Sequence, residues 1–396
     1  MSANSLPLSR FKVIDLCRAR AGPTCVKQLA DWGAETIKVE APPSMAESDV
    51  AGNRHGFDFN NLHRNKRSLT LNMKEEEGKE VFFRLVKDAD VVVENFRPGV
   101  KHRLGIGYEA CAKVNPRIIY GSLSGFGQEG PYAKRPGLDQ IAQGLGGLMS
   151  VTGEPGRGPM RVGIPVADLT GGMFLAQGIL VALLEREVSG KGQWVHTSLL
   201  EAMIQMMDFQ AARYLKDKDV PKQQGNNHPT GVPTGVFETS DGAINIQAGT
   251  QHLFKRLCEG LGVPELYEKA GYEDADSRRK NRDRLNAEIN EQTKKKAKAD
   301  WIEIMEKIGV PCGPIYKMDE TWNDPQVKTL HMDPLTKHQK LGDVRVVGQA
   351  VKLTRTPQPD IMRLPTPELG EHTDAILRDL GYDDSTIKAL HEKGVV

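Results

Sequence analysis

The residues best placed to do chemistry lie in Arg161–Glu187, RVGIPVADLTGGMFLAQGILVALLERE. Pro165 closes a loop, Asp168 follows, and Gly171-Gly172 precede the run Met173–Leu184, which is apolar on nearly every face. A helix of that composition is expected in the middle of a large core, with unpaired N–H groups and a positive dipole end at its first turn. Asp168 at that start has two readings. One is an ordinary Asp N-cap. The other is a carboxylate nucleophile at the end of a buried helix, beside two glycines that let another molecule's backbone or thioester come close.

Scattered cations are the second chemical signal. Arg18 and Arg20 follow the first apolar run, Arg64, Lys66 and Arg67 lie in NLHRNKRS, Lys74 follows LNM, Arg97 lies in NFRPG and Arg103 in KHRLG. Singly each reads as a solvated charge; gathered on loops at one sheet edge they would suit a ligand with several phosphates. A nicotinamide cofactor is disfavoured, because the first loop reads CRARAGPTC rather than G-x-G-x-x-G. There is no H-E-x-x-H and no C-x-x-C, so no metal site is expected. His228, in a Gly- and Pro-rich loop, reads as structural, with a place at the site as its alternative; Cys25 and Cys312 read as small buried residues.

The elements that must hold these groups follow from periodicity. Strands are expected at Phe11–Leu16, Glu35–Glu40, Ser68–Asn72, Asp90–Asn95, Arg117–Leu123 and Gln193–Thr197, with helices from Ala21 to Trp32, over Glu75–Lys87 and Tyr108–Val114, and from Leu199 to Leu215. Alternating strands and helices indicate an open, doubly wound, Rossmann-like α/β domain, whose ligand lies outside the carboxyl ends of the strands. The rhythm then stops. A hairpin around Ser240-Asp241-Gly242, a helix over Gln251–Leu261, a basic polar helix over Ser277–Ala299 and another over Trp301–Lys307 indicate a smaller α+β domain. The division expected is 1–216, 217–330 for linker and small domain, and 331–396.

Composition narrows the class. In 396 residues, 53 Lys+Arg balance 52 Asp+Glu, so no global field points to nucleic acid or an acidic membrane. The run Met173–Leu184 is too short to span a bilayer, and the amino terminus has no apolar signal stretch. Five scattered cysteines suit a reducing cytoplasm.

At this point the motifs taken together carry a resemblance. RAGP, NxNKRS, LNMK, VENFRPG, RLGIGYE, NPRIIYGSLSGFG, TGGM after Asp168, SGKGQWV, VPCGPI and LGEHT occur in an order that resembles the class III CoA-transferase family, which includes formyl-CoA transferase, carnitine CoA-transferase and α-methylacyl-CoA racemases. The resemblance implies two domains, an interlocked homodimer, coenzyme A and acyl-CoA as substrates with no permanently bound cofactor, and carboxylic acids as the other substrates. It assigns the catalytic aspartate to Asp168 and a second site carboxylate to Asp139, for which a helix cap after Pro-Gly is an equal reading. It places CoA contacts at Arg20 and Ala21 of RAGP, Leu71, Asn72 and Lys74 of LNMK, Asn95, Phe96 and Arg97 of NFRPG, Arg103, and Arg135.

Departures from the family pattern matter as much. Relatives that racemise place a histidine immediately before the residue aligned with Asp139; here Leu138 stands there, and leucine cannot transfer a proton. That ranks the racemase second, and a CoA-binding protein with a dead site third. Arg20 stands where formyl-CoA transferase has glutamine, which points to a dicarboxylate such as succinate. The chain reads Ala41-Pro42-Pro43 where that enzyme has arginine, and GNNHPTGVPTG replaces its glycine-rich loop.

Overall fold

Short apolar runs bounded by turn residues become the strands of one parallel sheet. The computed structural model describes residues 6–45 and 53–396. Its first unit is built on β1 (Lys12–Asp15), α1 (Ala21–Asp31), β2 (Glu35–Glu40), α2 (Phe57–His63), β3 (Arg67–Thr70), α3 (Glu76–Asp88), β4 (Val91–Glu94), α4 (Pro98–Leu104), α5 (Tyr108–Val114) and β5 (Ile119–Ser124). It continues through α6 (Asp139–Leu145) to α7 (Leu148–Val151), whose residues from Met149 on belong to the second unit, and resumes with α8 (Val166–Ser189), β6 (Trp194–Ser198), α9 (Leu199–Met206) and α10 (Asp208–Asp217). The six strands run in the order β3-β2-β1-β4-β5-β6, all parallel. This is the doubly wound order, with its reversal between β1 and β4. The stretch expected as one helix from Leu199 to Leu215 breaks at Met207, where Asp208 takes φ 41°.

Two apolar layers sandwich the sheet. On one face Val13, Cys25, Leu29, Ile119, Leu175 and Ile179 join strands to α1 and α8. On the other, Ile14, Leu69, Val81, Phe82, Val92 and Tyr120 pack with Ile376, Leu377, Ile387 and Leu390 of the chain's last two helices, Thr373–Asp379 and Asp384–Glu392. The carboxyl-terminal segment therefore completes the core of this unit. Asn72 N–H donates to the Val395 carbonyl at 2.7 Å.

Helix α8 departs from expectation in two ways. It has 24 residues and is long and apolar enough to cross a membrane, so Met173–Leu184 understates it. It also lies inside a folded unit with only one side covered. Gly172 faces α1, where an added Cβ would sit 2.5 Å from the Ala21 carbonyl oxygen, and a Cβ on Gly178 would meet Val195 of β6 at 2.9 Å. Val181, Leu184 and Val188, by contrast, are 59%, 70% and 91% exposed. The glycines after Asp168 thus serve helix packing: Gly172 lets α8 approach α1, and Gly171 faces Leu199 and Leu123.

The chain divides into two units: the described parts of 1–148, 161–219 and 330–396, and a second of 149–160 and 220–329. The second is built on the hairpin β7 (Thr234–Thr239) and β8 (Gly242–Gln247), helices α11 (Gln251–Gly260), α12 (Ala275–Lys280), α13 (Arg282–Thr293) and α14 (Lys298–Ile308), and β9 (Cys312–Pro314), which pairs antiparallel with β8. The basic stretch Ser277–Ala299 is therefore pieces of three helices. Its breaks fall at Asn281, which caps by donating to the Gly271 and Ser277 carbonyls, and at Lys294–Ala297.

Candidate active site

The switch point between β1 and β4 opens into a cleft. The loop after β1 supplies Arg18, Ala19, Arg20 and Ala21; the loop after β4 supplies Asn95, Phe96, Arg97 and Pro98. Leu123, Ser124, Gly125, Arg135, Pro136, Gly137, Leu138, Asp168 and Leu199 complete its walls. The two principal loops are tied together: Asn95 Nδ2 donates to the Arg18 carbonyl at 2.7 Å, and Arg18 N–H donates to Asn95 Oδ1 at 2.9 Å. Beneath them Asp15 accepts from Lys66 at 2.7 Å and Glu94 from Lys101 at 3.0 Å, all four fully buried. Burial alone would push the Asp15 carboxyl up, but Lys66 and Lys38 outweigh it and hold it below its usual range.

Asp168 is the third residue of α8, whose N-cap is Pro165. It is therefore not the N-cap; its side chain lines the cleft from the helix's first turn. The end of α8 is capped from outside, by Asp139, the first residue of α6. Asp139 Oδ1 accepts the Ala167 N–H at 2.8 Å, and Oδ2 accepts from Gln143 Nε2 at 2.7 Å. Gln143 in turn takes the Val162 N–H at 3.0 Å. This buried pair fixes the loop entering α8 and so positions Asp168. Burial in the cleft wall, with Asp139 nearby, raises the Asp168 pKa to about 6, partly offset by Arg20. The fold thus holds the Asp168 carboxyl above the ordinary carboxylate range.

A folded pKa above the unfolded value of 3.8 means that ionising Asp168 costs folding free energy as pH rises through about 4 to 6. In the role the sequence leads one to expect, Asp168 would react as the anion. We expect kcat/KM to be flat above about pH 7 and to fall as pH drops through about 6, approaching tenfold per unit, in a pH–rate profile.

Arg20, at the N-cap position of α1, also faces the cleft, and its Nη2 donates to Oδ2 of Asp58 on α2. Arg135 lies over the Tyr132 ring, 3.7 Å from its centroid, and Arg97 is exposed at the rim. Other cations grouped with these are structural. Arg64 is fully buried, donating to Asp31 from Nε and Nη2, and Lys66 is buried on Asp15; Arg67 pairs with Glu35 and Asp379. Buried on their carboxylates, Arg64 and Lys66 are closed to a phosphate in this state.

The remaining assignments separate from the cleft. Leu71 is 2% exposed in the apolar core, so its side chain is not a ligand contact. Asn72 Oδ1 accepts the Lys74 N–H at 3.1 Å, which shapes the turn after β3 with Lys74 exposed. Arg103 is exposed at the end of α4. In the second unit, His228 Nδ1 accepts the Gly231 and Thr230 N–H groups at 2.9 and 3.2 Å, organising its own loop.

Sequence reasoning missed Asp58 and Gln143. Asp58 is 38 residues from its partner, and local pattern holds no trace of that pairing. Gln143 could have been suspected only as a polar residue on the inward side of α6. It also missed a cluster outside the cleft, where ligand atoms of His55, His338 and Glu368 lie within 4.8 Å of one another. A metal does not fit it well. His338 Nδ1 accepts backbone N–H groups from Lys340 and Leu341, at 3.1 and 3.3 Å, so the ring proton sits on Nε2, the nitrogen facing Glu368.

Comparison with known proteins agrees with this geometry. The model of CoA-transferase family III matches residues 8–373. Human succinyl-CoA:glutarate CoA-transferase is 34% identical over 99% of this chain and 90% of its own. Acetyl-CoA:oxalate CoA-transferase of Acetobacter aceti is 37% identical over 96% and 97%, and succinyl-CoA:mesaconate CoA-transferase of Haloarcula marismortui 36% over 96% and 98%. A crystal structure of a CAIB/BAIF family protein from Brucella suis superposes with TM-score 0.82 at 36% identity, covering 95% of this chain and all of that one. A near-complete family match, full-length relatives and a shared doubly wound fold lead to one conclusion: the chain is an enzyme of CoA-transferase family III.

Proposed function

We propose that this enzyme moves CoA between acyl-CoA thioesters and free acids through a covalent intermediate on Asp168, and that its acids are dicarboxylates. The observation that carries the reading is Asp168 in the wall of a cation-lined cleft, held there by the Asp139–Gln143 cap. An Asp168 oxygen attacks the thioester carbonyl; the C–S bond breaks, giving a mixed anhydride and the CoA thiolate. The thiolate attacks the aspartyl carbonyl of the anhydride, releasing the donor acid and leaving an aspartyl-CoA thioester. The acceptor carboxylate then attacks that thioester, and the freed thiolate takes the acceptor's acyl group, regenerating the Asp168 carboxylate. Each step exchanges one leaving group at an activated carbonyl, so no base is required. The apolar wall of Phe96, Leu123, Leu138 and Leu199 disfavours water at the reacting carbon.

Leu138 at the wall provides no proton donor, which argues against racemisation. Arg20 supports the dicarboxylate reading: a guanidinium beside the nucleophile suits a second carboxylate, and relatives named for succinyl-CoA with glutarate, mesaconate or D-citramalate use such acids. Incubating the enzyme with succinyl-CoA, adding hydroxylamine and mapping the modified peptide should yield a hydroxamate on Asp168. Arg20→Gln should lower kcat/KM for succinyl-CoA by about tenfold or more while sparing monocarboxylic esters. An unmodified Asp168, or equal losses on both esters, refutes the respective part.

We place a second copy of the chain on the apolar face of α8 formed by Val181, Leu184 and Val188, which are 59%, 70% and 91% exposed and follow one another at helical spacing. Sedimentation should then report twice the 43.7 kDa chain mass. A reducing, cytoplasmic setting fits the free thiols of Cys17, Cys25, Cys111, Cys258 and Cys312.

A further inference from the structure

Arg20, which lines the cleft, already has a partner. Its Nη2 is hydrogen-bonded to Oδ2 of Asp58, with the two side chains 27% and 24% exposed. We infer that Asp58 is a specificity-determining residue: a fixed counter-ion on Arg20 that sets how strongly the cleft favours an acyl group bearing a second carboxylate over one ending in an alkyl group. The inference rests on the dicarboxylate reading of Arg20.

Both ends of this pair are held by the backbone. Arg20 follows Ala19, which has a left-handed φ of 57°, and its carbonyl accepts the Thr24 N–H at 2.8 Å. Asp58 is followed on α2 by Phe59 and Asn60, both buried. The Arg54 guanidinium covers the Phe59 ring at 4.6 Å, and Asn60 Nδ2 bonds the Gly56 carbonyl at 2.9 Å. Asp58 therefore cannot withdraw without shifting a packed segment. Among the described residues its bond engages only Nη2 of Arg20, leaving the N–H groups of Nε and Nη1 for a ligand.

Opposite consequences follow for the two substrate classes. A monocarboxylic acyl tail meets a neutralised ion pair instead of a bare guanidinium, so Asp58 makes it easier to accommodate. The distal carboxylate of a diacid must share Arg20 with a like charge, so Asp58 weakens it. Removing the charge moves the two affinities apart, whereas a merely structural loss would lower both.

The test is isotope exchange between each acyl-CoA and its own labelled acid, which needs no knowledge of the natural acceptor. Succinyl-CoA with succinate is compared with butyryl-CoA with butyrate. In Asp58→Asn the succinyl-to-butyryl ratio of kcat/KM should rise about tenfold through KM, lower for succinyl-CoA and higher for butyryl-CoA, with kcat nearly constant. Asp58→Glu should restore the wild-type ratio, and in an Arg20→Gln background Asp58→Asn should leave the ratio where Arg20→Gln alone puts it. An unchanged or lower ratio, equal losses on both esters, or an effect that survives without Arg20 overturns the inference. If Asp58→Asn does not fold, Asp58→Ser reads the same ratio; if only Asp58→Glu folds, the residue is structural and the inference fails. Failure of the dicarboxylate reading itself shows separately, as an Arg20→Gln single variant that keeps the wild-type ratio.

Discussion

Asp168→Asn should reduce kcat by about 10⁴-fold or more while CoA binding and the fold are retained, and it should abolish the hydroxamate formed with succinyl-CoA and hydroxylamine. The amide matches the carboxylate in shape but has no anionic oxygen to attack the thioester. Neither neighbouring carboxylate is free to replace it: Asp139 has both oxygens engaged by Ala167 and Gln143, and Asp58 is engaged with Arg20. Thermal stability should not fall and can rise, because burial and Asp139 already penalise the charged form and hold the Asp168 pKa near 6. A variant that loses activity together with its melting transition would show that Asp168 is holding the helix instead. Residual activity within about tenfold of wild type would remove it as nucleophile.

The largest effect on stability is expected from Arg64→Ala. Arg64 is wholly buried and donates from Nε and Nη2 to Asp31, from Nη1 to the Asn61 carbonyl at 2.7 Å, and from Nη2 to the Val347 carbonyl at 2.7 Å. Asp31 also receives Asn65 Nδ2 at 2.9 Å and Gln349 Nε2 at 2.7 Å. Together these bonds tie α1, the end of α2 and the returning carboxyl-terminal segment. Truncating the arginine leaves a buried carboxylate without its counter-charge and frees two backbone carbonyls. Losing one member of a buried pair costs about 3–5 kcal/mol, which lowers Tm by on the order of 10 °C in a thermal scan. Arg67→Ala should barely move Tm, because its partners Glu35 and Asp379 are exposed. A loss of CoA affinity without a loss of stability in Arg64→Ala would instead make it a phosphate contact.

What could be read from the chain follows from periodicity. Alternating apolar strands and amphipathic helices settled the doubly wound sheet, because a strand buried on both faces must be written as a run such as DVVVEN and a parallel neighbour needs a crossover helix. Asp168 was legible for the same reason: a charged residue opening a long apolar helix stands out from its surroundings.

Other features depend on which distant segments the fold brings together. NLHRNKRS shows three cations that look alike in one dimension, yet Arg64 and Lys66 are buried on Asp31 and Asp15 while Arg67 stays at the surface. Gly171-Gly172 looked like room for a ligand and are instead the contact of α8 with α1 and α9. Asp139 read equally as a site carboxylate and as a helix cap after Pro-Gly; it caps α8, 28 residues away. The sequence alone thus determined the sheet, its helices and the candidate nucleophile, because each is encoded by residues near one another in the chain. Only the tertiary structure decided the charge state of Asp168, the partner of Arg20 and the fate of each cation. Desolvation and ion pairing depend on what surrounds a group in space, and those neighbours lie tens to hundreds of residues apart.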